Sequence, residues 1–490
     1  MKKSYIKDCL GSKEIAEQTA RRVQKVVPAY QRFLTDNNIR IGEPFEMLPR
    51  SDKKSYALAY PFEELLGDDY EDILGIFSSS GSSGNLFYWP SLKSTNRSTP
   101  SNLRKFLEQR FAIDRKKTLA IVGTSLGSWL GGEHFSWMLK SIIMDTPYPF
   151  WVFSPGNKIE QIINLIDRID ALVDQIVIFI VPSTIAHLHL KASQLNKPLP
   201  LNKLKYIATG EPFPESVRIS LQKLAGLDET TPFMFSAYGS ADTGGLGIES
   251  IETVALRQLL YQNQTLAKQL IKDSTIPHFF HFIAADTYVE IIDGNLAVTK
   301  WQAIPLVRYI LYDRVSFYSW QELTEAILAS KYLILPEDRP LINVITGAKN
   351  LVGDLIAVTG RSDSTLVLNG CNLTEYMLDE AVKCEELQEL TTGLYRAKII
   401  YENNKQYLNF DLEIKEGVSA DLKTTEIIFS CLVRKLGKVQ PIFLNSWQNI
   451  YSESDRDPSK RILRLNLLPW PSLSQKTETS IKQRGILKNS

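Results

Sequence analysis

The chain has 490 residues, 44% hydrophobic and 23% charged, which excludes a disordered or fibrous protein and leaves room for two or three domains. Its net charge of +1 gives no electrostatic footprint for nucleic acid or an anionic membrane, so neither is expected as a partner. Cys9, Cys371, Cys384 and Cys431 lack CxxC spacing, which argues against a zinc site or disulfide framework and suits a reducing compartment.

The start, Met1-Lys2-Lys3-Ser4-Tyr5, has no apolar signal stretch, and the longest apolar run, Ile176 to Val181, is too short to span a bilayer. A cytoplasmic protein is expected. Residues 12 to 36 carry helical spacing, with Ala16, Ala20, Val23 and Val27 on one side and Pro28 as the interruption. A turn-rich stretch through Leu48-Pro49-Arg50-Ser51-Asp52-Lys53 follows. The run Ile73-Leu74-Gly75-Ile76-Phe77 then leads into Ser78-Ser79-Ser80-Gly81-Ser82-Ser83-Gly84-Asn85. Glycines let such a loop turn its N–H groups toward an anion, and hydroxyls on both flanks can reach phosphate oxygens or magnesium. No Gly-Lys-Ser/Thr closes it, so it is not a Walker A loop, and by composition alone a flexible linker is the competing reading.

Short apolar runs at Thr118–Gly123, Pro149–Phe153, Gln175–Val181, Leu204–Thr209 and Pro232–Ser236 read as buried strands. Helical stretches at 128–144, 158–173, 184–195 and 214–225 lie between them, which predicts an α/β fold with a doubly wound parallel sheet. Such sheets bind ligands beyond the carboxyl ends of their strands, so Thr209-Gly210-Glu211-Pro212 and Ala237-Tyr238-Gly239-Ser240-Ala241-Asp242 are the loops of interest. His187-x-His189 and His278-x-x-His281 do not have zinc spacing and are expected in local packing. From about 277, Tyr288–Ile292, Leu296–Lys300 and Leu306–Leu311 alternate like an antiparallel meander. The stretch after Gly360-Arg361-Ser362-Asp363 predicts a small α+β domain, with strands near 396–401 and 406–414, a helix over 421–436 and a polar tail from 472.

Five of these stretches together, in order, resemble the adenylate-forming (AMP-binding) enzymes, and within them the phenylacetate–CoA ligase lineage. The Ser79, Ser80, Gly81, Ser82, Ser83, Gly84 loop resembles the family's phosphate loop, and Gly210-Glu211-Pro212-Phe213-Pro214 with Val217-Arg218 its adenine-side loop. Tyr238-Gly239-Ser240-Ala241-Asp242 is similar to the Tyr-Gly-x-x-Glu element, in which the acid helps hold magnesium. Pro305-Leu306-Val307-Arg308-Tyr309 with Asp313 resembles the ribose-binding stretch, and Gly360-Arg361-Ser362-Asp363 the ribose-contacting Arg and hinge. Val27-Pro28-Ala29-Tyr30 and Leu48 to Lys53 also look like that lineage, so the resemblance spans roughly 27 to 375.

The resemblance implies an N-terminal adenylate-forming domain over 1–362 and a mobile C-terminal domain over 363–490, with Asp363 as hinge. It implies ATP and Mg2+ as cofactors, with Asp242 and Ser82 as metal ligands, and CoA or a phosphopantetheine arm as acceptor. Trp129, Gly131, His134 and Phe135 fall where the family lines its acyl pocket, although the glycines there equally suit close helix–sheet packing. Lys460 is the candidate for the catalytic lysine, the alternative being a solvated basic cluster. Asn85 stands where the family has Lys, Asp242 where it has Glu, and Tyr312 where Gly precedes the ribose-binding Asp. The expected reaction is ATP-dependent activation of a carboxylic acid and thioester formation with CoA. The alternatives are transfer to a carrier protein, or a nucleotide-binding relative with reduced or lost catalysis. A small carboxylate is the expected partner, with a carrier protein and a second copy of the chain as macromolecular options.

Overall fold

The computed structural model describes residues 5–78, 87–96, 99–228, 230–231, 233–271, 275–347, 353–362, 365–368, 371–402, 405–440, 443–444, 447, 456–474 and 485–486. Two helices, α1 (Lys13–Val26) and α2 (Pro28–Asp36), meet at Pro28, which lacks the N–H to continue the first and starts the second. A hairpin of β1 (Ile73–Ser78) and β2 (Tyr88–Leu92) brackets residues 79–86. Next come α3 (Thr99–Phe111) and β3 (Thr118–Val122), α4 (Leu130–Asp145) and β4 (Phe150–Phe153), then α5 (Ile159–Ile169) and β5 (Gln175–Ile180). The α/β part continues with α6 (Pro182–Gln194), β6 (Leu204–Thr209), α7 (Glu215–Leu224) and β7 (Met234–Ser240).

Strand β3 pairs in parallel with both β4 and β5, so the chain reverses direction across the sheet there. Strands β5, β6 and β7 extend the parallel half. Alternate residues of these strands point to opposite faces, and both faces are apolar. Leu119, Ile121, Ile176 and Ile178 pack with α5 on one face, and Ala120, Val122, Val177 and Phe179 with α3 and α4 on the other. This is the doubly wound arrangement that the alternation predicts.

The meander is not a separate layer. Strand β7 turns into β8 (Gly244–Ile248), followed by α8 (Ile251–Gln262) and β9 (His278–Phe282). The strands β10 (Thr287–Ile292), β11 (Asn295–Lys300), β12 (Leu306–Ser319) and β13 (Asp354–Arg361) follow, and all join one 13-stranded sheet. Helices α1 and α2 cover the antiparallel half, with Val23, Val27, Tyr30 and Phe33 packed on Val298, Leu306 and Tyr309.

The remaining described chain forms its own cluster, drawn entirely from residues between Leu366 and Ile486. Its elements are β14 (Thr365–Leu368), β15 (Cys371–Thr374), α9 (Glu375–Val382), β16 (Thr391–Glu402), β17 (Lys405–Ile414), α10 (Leu422–Val439) and β18 (Leu463–Leu468). The sequence reading found β16, β17 and α10 but not β18, which lies parallel to β17.

Gly239 sits where β7 and β8 pinch together. A Cβ there would fall 2.3 Å from the Gly244 carbonyl oxygen, whereas one on Gly245 meets nothing within 4 Å. Gly239→Ala should therefore cost about 1–3 kcal/mol, as overpacking against backbone does. Gly245→Ala should stay within about 0.5 kcal/mol. Thermal unfolding of the two variants checks this, and equal shifts would contradict it.

Candidate active site

Asp242 occupies the turn between β7 and β8, at the carboxyl end of the parallel half. The Tyr309 hydroxyl donates to its Oδ2 at 2.8 Å, and its backbone oxygen accepts from Gln302 Nε2 at 2.7 Å. Burial pushes its carboxyl above the usual range, while the Tyr309 hydrogen bond and the charges of Lys53 and Arg361 pull the other way. Lys53 is in turn pushed below its ordinary value by burial, with Asp242 opposing. Strand β12 fixes this neighbour, because Ser51 bonds across to it, N–H to the Arg308 oxygen at 3.2 Å and oxygen from the Ile310 N–H at 2.8 Å. Arg308 adds a bond from Nη1 to the Leu48 oxygen at 2.8 Å.

Asp313 and Arg361 are paired across β12 and β13, with Nη1 3.3 Å from Oδ1. The Tyr238 hydroxyl donates to the other Asp313 oxygen at 2.6 Å, and its ring stacks on Phe280 at 5.2 Å. Tyr312, the residue in place of glycine, keeps a left-handed backbone at φ 61°. Such a conformation costs a bulky side chain energy and persists only when its surroundings hold it. Here its hydroxyl donates to Asp52, next to Lys53.

The loop Gly210-Glu211-Pro212 leaves β6 with Gly210 at φ 92°, a glycine conformation. Its far end rests on buried charge. The Phe213 oxygen accepts from Arg257 Nη2 at 2.8 Å and lies 2.8 Å from His278 Nε2. Arg257 Nη1 reaches Glu215 at 2.7 Å, and Arg218 bridges Glu215 at 3.0 Å and Glu249 at 2.5 Å. Burial alone would raise Glu249, but Arg218, His278 and Arg257 hold it down at about 2. Burial also keeps His278 neutral, at about 4. Apart from Glu215 and Arg218, three residues apart on α7, the members of this cluster lie far apart in sequence and leave no local signature.

The structure thus brings Tyr238, Asp242, Asp313 and Arg361 together, with Ser240 bonded to Thr243 at 3.0 Å in the same turn. Ser79, Ser80, Gly81, Ser82, Ser83, Gly84 and Asp363 lie outside the described residues. The preceding residue, Ser78, is tied by N–H to the Ser128 oxygen at 2.7 Å, so the base of that loop meets the entry to α4. Trp129 caps α4, and Gly131 faces open space. His134 has a buried Nε2 without a hydrogen-bond partner, and burial, aided by Lys300, lowers it to about 4. Phe135 turns to the sheet instead, its ring 4.8 Å from Phe179. The close packing foreseen for the glycines belongs to Gly132, where a Cβ would lie 2.0 Å from the Ser125 oxygen.

Lys460 is not among the gathered residues. Its side chain is 71% exposed and pairs with Asp457 at 3.0 Å. The sequence reading also missed Lys53 as a neighbour of Asp242; its place in the Leu48 to Lys53 stretch was the only signal. The buried sulfurs of Cys384 and Cys431 come within 3.5 Å of each other, beside a Glu386 carboxylate already paired with Lys435 at 2.7 Å. His189 and His281 bond locally, to Tyr206 at 2.9 Å and Ser250 at 3.0 Å, as packing residues. None of the described helices is long and apolar enough to cross a membrane.

This fold is that of the adenylate-forming enzymes. Among solved structures, a 2-hydroxyisobutyryl-CoA ligase in the postadenylation state with R3-HIB-AMP matches with a TM-score of 0.61 at 13% identity, over 98% of this chain and 91% of that one. An open conformation of the same ligase, with 2-HIB-AMP and CoA, gives 0.50 at 14% identity, over 98% and 93%. The acyl acid amido synthetase AtGH3.15, in complex with 2,4-DB, gives 0.58 at 11% identity, over 97% and 92%. No family model matches the sequence, and no curated protein matches it.

Glu249→Gln should cost about 3–5 kcal/mol near neutral pH, because it leaves Arg218 buried with one partner fewer. The native value of about 2 lies below the ordinary 4.5, so the stabilisation is complete above pH 4.5 and is lost as pH falls toward 2. The difference in unfolding free energy between wild type and variant should narrow over that window. A gap independent of pH would assign Glu249 to packing alone.

Proposed function

We propose that the chain activates a carboxylic acid with ATP to an acyl-adenylate and then transfers the acyl group to the thiol of CoA. The observation carrying this reading is the convergence of Tyr238, Asp313, Arg361 and Asp242 at one end of a sheet whose fold matches an acyl-AMP-bearing CoA ligase over nearly its whole length. Asp313, held by Tyr238 and Arg361, presents a fixed carboxylate to the ribose hydroxyls. The Gly210–Pro212 loop lies against the adenine.

Asp242 suits a divalent cation. Burial opposes its ionisation, and its Oδ2 partner is a neutral hydroxyl. Asp242 and Ser82 would hold Mg2+, which when bound neutralises phosphate charge. Lys53 brings a second cation to the same corner and offsets the missing lysine at Asn85. The substrate carboxylate oxygen attacks the α-phosphorus, and the bond to pyrophosphate breaks. The acceptor sulfur then attacks the acyl carbon, and AMP leaves. Both steps need positioning and charge stabilisation rather than a protein nucleophile. His134, kept neutral by burial, lines the acyl side with Trp129.

The division into 1–362 and 363–490 is part of this proposal, supported by the separate C-terminal core. The better match to the postadenylation state than to the open conformation favours a docked C-terminal domain. Lys460, exposed here, would reach the carboxylate and α-phosphate only after that domain reorients. The comparable match to an amido synthetase supports a second reading, in which an amine takes the place of the thiol.

Millimolar AMP should raise the melting temperature, since a ligand at ~100 Kd adds about 2.7 kcal/mol. Asp313→Ala and Arg361→Ala should shrink that shift, and no shift in the wild type would contradict a nucleotide site. Acid-dependent exchange of labelled pyrophosphate into ATP, over a panel of carboxylic acids, tests the first step. Asp242→Asn should lower it by ~10²-fold or more and raise the magnesium requirement. An unchanged magnesium titration would remove Asp242 from the metal. Mass analysis of products formed with CoA, a carrier protein or amino acids then separates thioester from amide. Nucleotide binding without exchange for any acid would favour a silent relative.

A further inference from the structure

Helix α9 belongs to the C-terminal core through Leu378, Ala381 and Val382. Tyr376, on the same helix, does not. Its side chain is 1% exposed and enters the N-terminal part. The hydroxyl donates to the Ile276 oxygen at 2.7 Å and accepts from Arg257 Nη2 at 2.8 Å. Its ring meets the His278 ring edge-on at 6.4 Å. The same Arg257 nitrogen donates to the Phe213 oxygen at 2.8 Å, where the Gly210–Pro212 loop ends. One guanidinium nitrogen is therefore shared between the C-terminal domain and the loop beside the adenine.

Glu380, on the same helix and also buried, acts on Arg257 through its charge, whereas the following contacts across this seam are weaker. Lys223 and Glu385 pair at 3.0 Å with both side chains more than 60% exposed, and such pairs contribute little. Ser216 Oγ donates to the Lys383 oxygen at 3.0 Å. Tyr376 is the deeply buried hydrogen-bonding contact among these, and although Glu380 on its own helix also bonds its hydroxyl, the bonds to Ile276 and Arg257 exist only while α9 is docked. Undocking leaves the Ile276 oxygen and Arg257 Nη2 each one partner short, which a buried polar group does not tolerate without rearranging.

We propose that Tyr376 is a positioning residue for the nucleotide: when docked, it fixes Arg257, and Arg257 fixes Phe213 and the Gly210–Pro212 loop. By linkage, a nucleotide that prefers the ordered loop also favours the docked domain, by the same factor. The step from loop to nucleotide rests on the function proposed above. The step from Tyr376 to loop does not.

Tyr376→Phe keeps the ring and removes the hydroxyl. Tyr395→Phe is the control, because its equally buried hydroxyl bonds Asp379 at 2.9 Å within the C-terminal domain. Amide hydrogen exchange of the ligand-free chain, in peptides covering 208–217, should quicken about 5-fold or more in Tyr376→Phe and stay unchanged in Tyr395→Phe. The Kd for AMP, by calorimetry, should rise about 5-fold or more in Tyr376→Phe alone, at the low end of measured couplings. Unchanged exchange in a folded Tyr376→Phe overturns the proposal. Equal effects in both variants overturn it too, since they would reflect C-terminal stability. If the wild type binds no AMP while the exchange difference persists, the nucleotide reading fails and the positioning of the loop by Tyr376 stands.

Discussion

Two guanidinium groups with no exposed surface, Arg218 and Arg257, hold the centre of this molecule. Neither is tolerable there alone. Glu215 and Glu249 balance them, and the pairing lets charged side chains sit between α7, α8 and the sheet. The geometry this demands is strict, because every member serves more than one neighbour. Arg257 also carries the Phe213 carbonyl, and Glu249 also accepts from the Ser236 N–H at 2.7 Å, on β7. The loops after β6 and β7, which carry the candidate nucleotide contacts, thus depend on one ionic cluster.

The candidate site itself is arranged for function at some expense to stability. Burial pushes the Asp242 carboxyl above its usual range, and Tyr312 holds a backbone conformation that suits glycine better. Each is restrained by a side chain from a distant segment, Tyr309 for the first and Asp52 for the second. Groups held in this way tend to mark sites where a ligand completes the environment. A cation beside Asp242 would relieve the first cost.

The doubly wound half was legible because its signals are local. Runs such as Gln175–Ile180 are apolar on both faces, and α5 carries its apolar residues at helical spacing. Helix α6, the least distinct of the predicted helices, forms over Pro182–Gln194, with proline at its first turn. The meander was legible for the same reason. Its fusion with the parallel half was not, because pairing of β9 with β13 joins residues far apart in sequence.

The sequence by itself determined the order of strands and helices, the stretches that gather at the carboxyl ends of the strands, and the resemblance those stretches carry. Periodicity and turn chemistry act over a few residues, so they can be read without a partner. The tertiary structure alone decided that Lys53 lies beside Asp242, that Phe135 turns to the sheet while His134 does not, and that Tyr376 crosses into the neighbouring part. These placements rest on contacts between segments well separated in sequence, as in the span of 119 between Arg257 and Tyr376. Such contacts are selected by the packing of the whole chain, and no short stretch of sequence records them.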